Sequence, residues 1–242
     1  MTNGYIDIYC ERTGPEYWSE PLNALTNLAF ILSAVVLTRL LLRQDAASRR
    51  DAALWILVVL IYAIGTGSWL FHTQAQRWAM LTDIIPIAIF ILVYTWYVLR
   101  RFAAAPGWVC AIGVAVVLAI AVAVPPLTGY RGGAYVAALA AMVGIGGYLR
   151  FGTGHPAGRA LLTAAALFAV SLALRTVDQP LCATIPDGTH FAWHLLNAIV
   201  LFSVARAMVL YGKRIWPAAA GCLDSAHPVL RNSFQQLDSV HE

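Results

Sequence analysis

The sequence predicts an all-α membrane protein, a bundle of seven transmembrane helices with the amino end outside and the carboxyl end in the cytoplasm. Two observations carry that expectation. Hydrophobic residues make up 60% of the chain and charged residues 12%, whereas soluble domains run at about 45–50% apolar and about 25% charged. The apolar residues also gather into seven long blocks, and a helix needs about 20 residues to cross roughly 30 Å of hydrocarbon.

The first twenty residues hold Asp7, Glu11, Glu16 and Glu20 without a basic n-region, so no cleavable signal peptide is expected and the amino end reads as a short exposed segment. The first span is 22–42. The second, 52–72, ends in Gly67-Ser68-Trp69-Leu70-Phe71-His72, and the third, 79–99, carries Asp83 beside Thr82 and ahead of Pro86. Spans four and five, 108–124 and 134–149, are short, but their Ala, Gly and Val suit close helix contacts, and Pro125-Pro126 is expected to separate them. The sixth span is 159–177, and the seventh, 189–211, opens with His190 and His194. Residues 1–214 thus form one membrane domain. Residues 215–242, polar and containing Pro217 and Pro228, read as a disordered cytoplasmic tail.

The net charge of +4 does not point to nucleic acid, because the basic residues are scattered at the ends of apolar blocks, where they act as topology signals. Arg39, Arg43, Arg49, Arg50, Arg100, Arg101, Arg150, Arg159, Arg206, Lys213, Arg214 and Arg231 fall on one side. Arg12, Arg77, Arg131 and Arg175 fall on the other. That asymmetry sets the orientation.

Polar residues inside spans are costly, and they mark functional candidates. Ser68 and His72 are four apart and share a helical face, as do His190 and His194. With alternating spans, Ser68, His72, Asp83, His190 and His194 all come to the same outward depth. Three imidazoles there fit a zinc site with an open position for water, and zinc brings the pKa of that water to about 7. Asp83 is then the candidate general base, and Ser68 the group that holds water or the developing oxyanion. Taken singly, each has a plainer reading. His72 suits an interfacial hydrogen bond, the His190–His194 pair a local helix feature, Asp83 a helix cap or first-turn acid, and Ser68 a small packing residue. His155, His227 and His241 read as solvated.

These residues resemble the alkaline ceramidase family, within a larger group of seven-helix membrane hydrolases that includes the adiponectin and progestin receptors. Ser68, His72 and Asp83 keep the family's order and spacing, His190 and His194 match its late His-x-x-x-His, and Glu20-Pro21-Leu22-Asn23 with Asn27 resembles its Glu-x-x-Asn signature. The resemblance spans the chain apart from the tail. It implies a zinc-dependent amidase that cuts the N-acyl bond of ceramide-like lipids in the bilayer, giving a fatty acid and a sphingoid base, with His72, His190 and His194 on the metal. It also implies a calcium ion at the amino-terminal end of the bundle, with Glu11 and Glu20 as ligands and Asp7 as a shifted substitute. Two departures bear on that calcium: Ile8 stands where an Asp is usual, and the gap from Glu11 to Glu20 is two residues shorter.

Cys10 and Cys182 both fall on the outward side, where an oxidising compartment permits a disulfide, the plainer alternative being two unpaired thiols. Cys110, in a span, and Cys222, in the tail, read as free. Two rivals to the hydrolase stand at this stage. A seven-helix receptor or lipid-binding protein could keep zinc for structure, though a structural zinc tends to use four protein ligands. A bis-His haem protein would need opposed His pairs, which the clustered His and Asp fit less well.

Overall fold

The computed structural model describes residues 4–130 and 132–212. Every regular element within them is helical. Seven helices are long and apolar enough to cross a membrane: α1 Pro21–Leu42, α2 Ala52–Gln74, α3 Arg77–Arg101, α4 Gly107–Thr128, α5 Gly133–Gly152, α6 Pro156–Leu181 and α7 His190–Tyr211. The expected tail at 215–242 lies outside the described residues, as do Arg131, Lys213, Arg214 and Arg231 of the charge asymmetry.

Each helix packs on its neighbours in sequence, and α7 returns to α1, so the bundle is a closed ring. Burial differs sharply around it. Of the most apolar 18-residue window in each helix, 50% is buried in α2 and 56% in α7, but 11% in α4. The first two therefore form the middle of the bundle, where they also touch each other. The outer face of α4, with Trp108, Val122 and Leu127 exposed, suits lipid.

One end of the bundle is tied by charge. Asp51 caps α2 by accepting from the Ala53 N–H at 3.0 Å, and Arg101, at the end of α3, grips the same carboxylate with both terminal nitrogens at 2.7 and 3.0 Å. The Arg101 guanidinium also donates to the carbonyl of Gly212 just past α7. A planar fork on a carboxylate gives direction as well as strength, so one side chain fixes three helix ends.

Several boundaries differ from the sequence reading. Pro125-Pro126 does not separate spans four and five, because α4 runs through both prolines to Thr128 and stops at Gly129, whose φ is +74°. Pro125 has no N–H for the carbonyl of Ala121, and Gly133 fills the gap. A Cβ on Gly133 would lie 2.2 Å from that oxygen, so a small residue lets α5 close onto the proline bend. Helix α6 likewise continues beyond 177 to Leu181, carrying Pro180 near its end. His155 is not a solvated loop residue but the cap of α6, its Nδ1 accepting from the Ala157 N–H at 3.2 Å and its ring against Phe102.

The approach of α2 to α3 positions the site. Gly67 meets the backbone of α3 so closely that a Cβ there would stand 1.9 Å from the Thr82 carbonyl oxygen and 3.0 Å from the Asp83 nitrogen. Only glycine fits such a crossing, and it carries Ser68, the next residue, to Asp83.

Candidate metal centre

His72 lies near the end of α2, Asp83 near the start of α3, and His190 and His194 in the first two turns of α7. Alternating helices bring all of them to one end of the bundle. His72, His190 and His194 are 1%, 2% and 1% exposed, and one nitrogen from each falls within 4.8 Å of the others. Three imidazoles removed from water and turned toward one point are a ligand set for a metal ion.

The hydrogen bonds around the rings assign their protons. His72 Nδ1 lies 2.5 Å from a carboxylate oxygen of Glu20, which can only accept, so the proton is on Nδ1 and the lone pair on Nε2. That Nε2 is buried and has no partner. His194 Nδ1 lies 3.0 Å from the Thr26 hydroxyl, whose own proton goes to the carbonyls of Leu22 or Asn23 at 2.8 and 3.0 Å. Nδ1 is therefore again the donor, and Nε2 keeps its lone pair. Metal-binding histidines are commonly fixed in this way through the other ring nitrogen. His190 is held differently: its ring stacks on Tyr9 at 3.6 Å between centroids, and its Nδ1 is buried without a partner. The residues fit a metal, and two orphaned imidazole nitrogens are the observation that says so.

The amino-terminal segment forms the wall over this centre. Cys10 and Cys182 are joined by a disulfide that spans 172 residues of chain, and Ile6 donates to the carbonyl of Ala75 beyond α2. Asp178, buried in the last turns of α6, accepts backbone N–H groups from Cys10 (3.1 Å), Thr189 (2.6 Å) and His190 (2.9 Å). It thus caps α7 from another helix while gripping the disulfide-bonded strap. Burial raises the pKa of the Tyr9 phenol, which outweighs the opposing pull of Arg175. The phenol therefore stays protonated against His190.

Ser68 and Asp83 share a pocket with His190, His194 and Arg175. Asp83 is not among the three grouped ligands. Arg175 stands over the rings of Tyr135 and Trp193 at 4.9 and 5.6 Å and reaches the Tyr9 hydroxyl at 3.4 Å. Three histidines that could hold a metal thus lie beside a pocket that contains a carboxylate, a hydroxyl and a cation.

Glu11 and Glu20 do not offer a calcium cage. Both oxygens of Glu11 accept from the backbone at the start of α1, from Leu22 at 2.5 Å and Asn23 at 2.8 Å, so Glu11 is that helix's cap. Burial raises its pKa, partly offset by those two N–H groups. Glu20 gives one oxygen to the Arg12 guanidinium and the other to His72 and Asn23. Burial works to raise the Glu20 pKa, yet His72 and Arg12 together outweigh it and hold the carboxyl below its usual range. The unpartnered buried oxygens here are two neutral amide carbonyls, Asn23 Oδ1 and Asn27 Oδ1, against the six to eight oxygens calcium takes.

The sequence reading passed over Asp178, Tyr9, Thr26, Arg12 and Arg175 as parts of the site. Two of them carried a usable signal. Arg175 fell within the sixth span, and Asp178 is an acid inside the same helix once its end is placed at Leu181.

With this geometry in view, a family model described as Ceramidase matches residues 8–214, which takes in every residue of the centre. No curated protein matches the chain at a significant level.

Proposed function

The chain belongs to the ceramidase family, and from that premise we propose that it is a zinc-dependent membrane amidase that cleaves the N-acyl bond of ceramide-like lipids to a fatty acid and a sphingoid base. The observation that carries the reading is the buried, unpartnered Nε2 of His72, whose other nitrogen is locked by Glu20. A nitrogen lone pair kept from water without a donor costs free energy unless something occupies it. Three imidazoles with no fourth protein ligand grouped with them among the described residues match a catalytic zinc better than a structural one.

His72, His190 and His194 would hold the ion. Zinc held there supplies Lewis acidity toward the amide carbonyl and toward water, whose pKa it brings to about 7. Asp83 takes the proton from the attacking water and returns it to the leaving nitrogen. Ser68, in the same pocket as Asp83, donates to the carbonyl oxygen as it gains charge. An apolar cleft lined by Phe90, Met142, Phe168 and Val204 shares Ile64, Ile87, Tyr135 and Asn197 with the polar pocket. An acyl chain seated there brings its amide to the metal without leaving apolar surroundings. The disulfide supports a site on the non-cytoplasmic face, where such bonds persist.

Lipid mass spectrometry tests the reading. Purified protein given mixed N-acyl lipids should release free fatty acid and base, stop with a zinc chelator and resume on adding zinc back. A receptor or lipid carrier would retain lipid and release neither product. The helix crossing gives a sharper expectation. Gly67→Ala forces α2 from α3 and moves Ser68 relative to Asp83. Displacements of about 1 Å at a reacting centre cost about 10²-fold, so hydrolysis should fall by about that factor with zinc still bound. Full activity in this variant would mean that the Ser68–Asp83 pairing does not matter to turnover.

A further inference from the structure

The segment before α1 contains one buried cation, and its contacts form a closed loop with a metal ligand. The Arg12 side chain has no measurable exposure and its partner Glu20 is 3% exposed. Arg12 Nε donates to Glu20 Oε1. One terminal nitrogen donates to the Gly14 carbonyl at 2.9 Å and the other to the His72 carbonyl at 2.8 Å. Glu20 in turn receives the His72 Nδ1 proton. His72 is therefore held at two points, its ring by Glu20 and its backbone by Arg12, while the two holders grip each other.

Each link has its own physical reason. The His72 carbonyl lies in the last turn of α2, where carbonyls have no partner within the helix and a cation is favoured by the dipole. The guanidinium supplies several donors in a fixed plane, so it serves three acceptors at once, whereas an ammonium is a single point of charge. Glu20, buried and ionised, needs a compensating positive charge. Arg12 supplies it without any exogenous ion.

We infer that Arg12 is a built-in cation that replaces calcium in this chain, holding Glu20 and through it the metal ligand His72. Calcium could bind Glu20 only by displacing a guanidinium already bonded to three oxygens, and Glu11 is committed to capping α1. Arg12 is a positioning residue: it touches neither substrate nor metal and acts by fixing the ring that does.

The inference has two arms, and only the second rests on the zinc reading. In the first, wild-type protein dialysed against calcium should carry none by elemental analysis, and its melting temperature should be the same in calcium and in a calcium-selective chelator. Stoichiometric calcium, or a melting temperature raised by it, overturns the inference. In the second, zinc affinity is measured by competition with a chromogenic chelator. Loss of a group that orients a ligand costs about 10–100-fold in metal affinity, so Arg12→Gln should bind zinc that much more weakly. Arg12→Lys, which keeps the charge, should fall by only a few-fold. Undiminished affinity in Arg12→Gln, or an equal loss in both variants, overturns the inference. Should Arg12→Gln not fold, the lysine variant and the wild-type calcium measurement still decide. Wild-type protein purified without zinc would count against the zinc reading alone, leaving calcium binding as the test.

Discussion

Asp83→Asn is expected to retain its zinc and to lose amide hydrolysis by about 10²–10⁴-fold, the usual contribution of a positioned general base. The substitution isolates one property. Asparagine has nearly the same shape, but it cannot take a proton at ordinary pH. The metal should stay because Asp83 stands apart from the three nitrogens that converge. Turnover and zinc content measured on the same preparation read the two effects separately. Unchanged turnover with full zinc would remove the proposed role of Asp83, and loss of zinc would make it a ligand.

The larger effect is expected from the ligands themselves. His72→Ala, His190→Ala and His194→Ala should each lose most of the zinc, and with it turnover, since two remaining imidazoles leave a site below the three ligands of catalytic zinc. The variants should not be equal in stability. His72→Ala removes the 2.5 Å donor from a buried carboxylate oxygen, which keeps only the longer bond from Asn23 at 3.1 Å, and a hydrogen bond to a charged group is worth about 1.5–3 kcal/mol. His194→Ala strands the Thr26 hydroxyl, which keeps its own bonds to Leu22 and Asn23. The melting temperature should therefore fall further for His72→Ala. Full zinc in any one variant would take that histidine out of the site.

The sequence made the seven helices legible because the bilayer constrains length and composition so tightly. It also made the grouping of Ser68, His72, Asp83, His190 and His194 legible, since a polar side chain stands out against apolar spans and alternation fixes which ends meet. What supports that group was hidden. Arg12 looked like a topology charge, and nothing local shows that its guanidinium turns inward to Glu20 and the His72 carbonyl. Glu11 and Glu20 suit a cation by residue type, yet the one spends its oxygens on α1 and the other on Arg12 and His72. Asp178 falls just outside a span that ends at 177, yet the proline at 180 does not stop α6, which runs to Leu181. Pro125-Pro126 likewise does not stop its helix, because a membrane helix tolerates proline where a neighbour closes over the freed carbonyl, as Gly133 does over that of Ala121.

The strap that carries Cys10 also orders events in time. The first twenty residues leave the ribosome before any helix of the bundle, but two partners of Cys10 come late: Cys182 follows it by 172 positions, and Asp178, which accepts from its N–H, by 168. Until α7 has entered the bilayer, Glu20 can steady His72, but two of the three imidazoles do not yet exist beside it. A metal held by all three histidines could therefore be loaded only once α7 is in place, and the disulfide could close only once Cys182, just past the end of α6, has reached Cys10. A newly made protein passes through a stage in which its amino end waits, unlocked, for the end of the sixth helix to arrive.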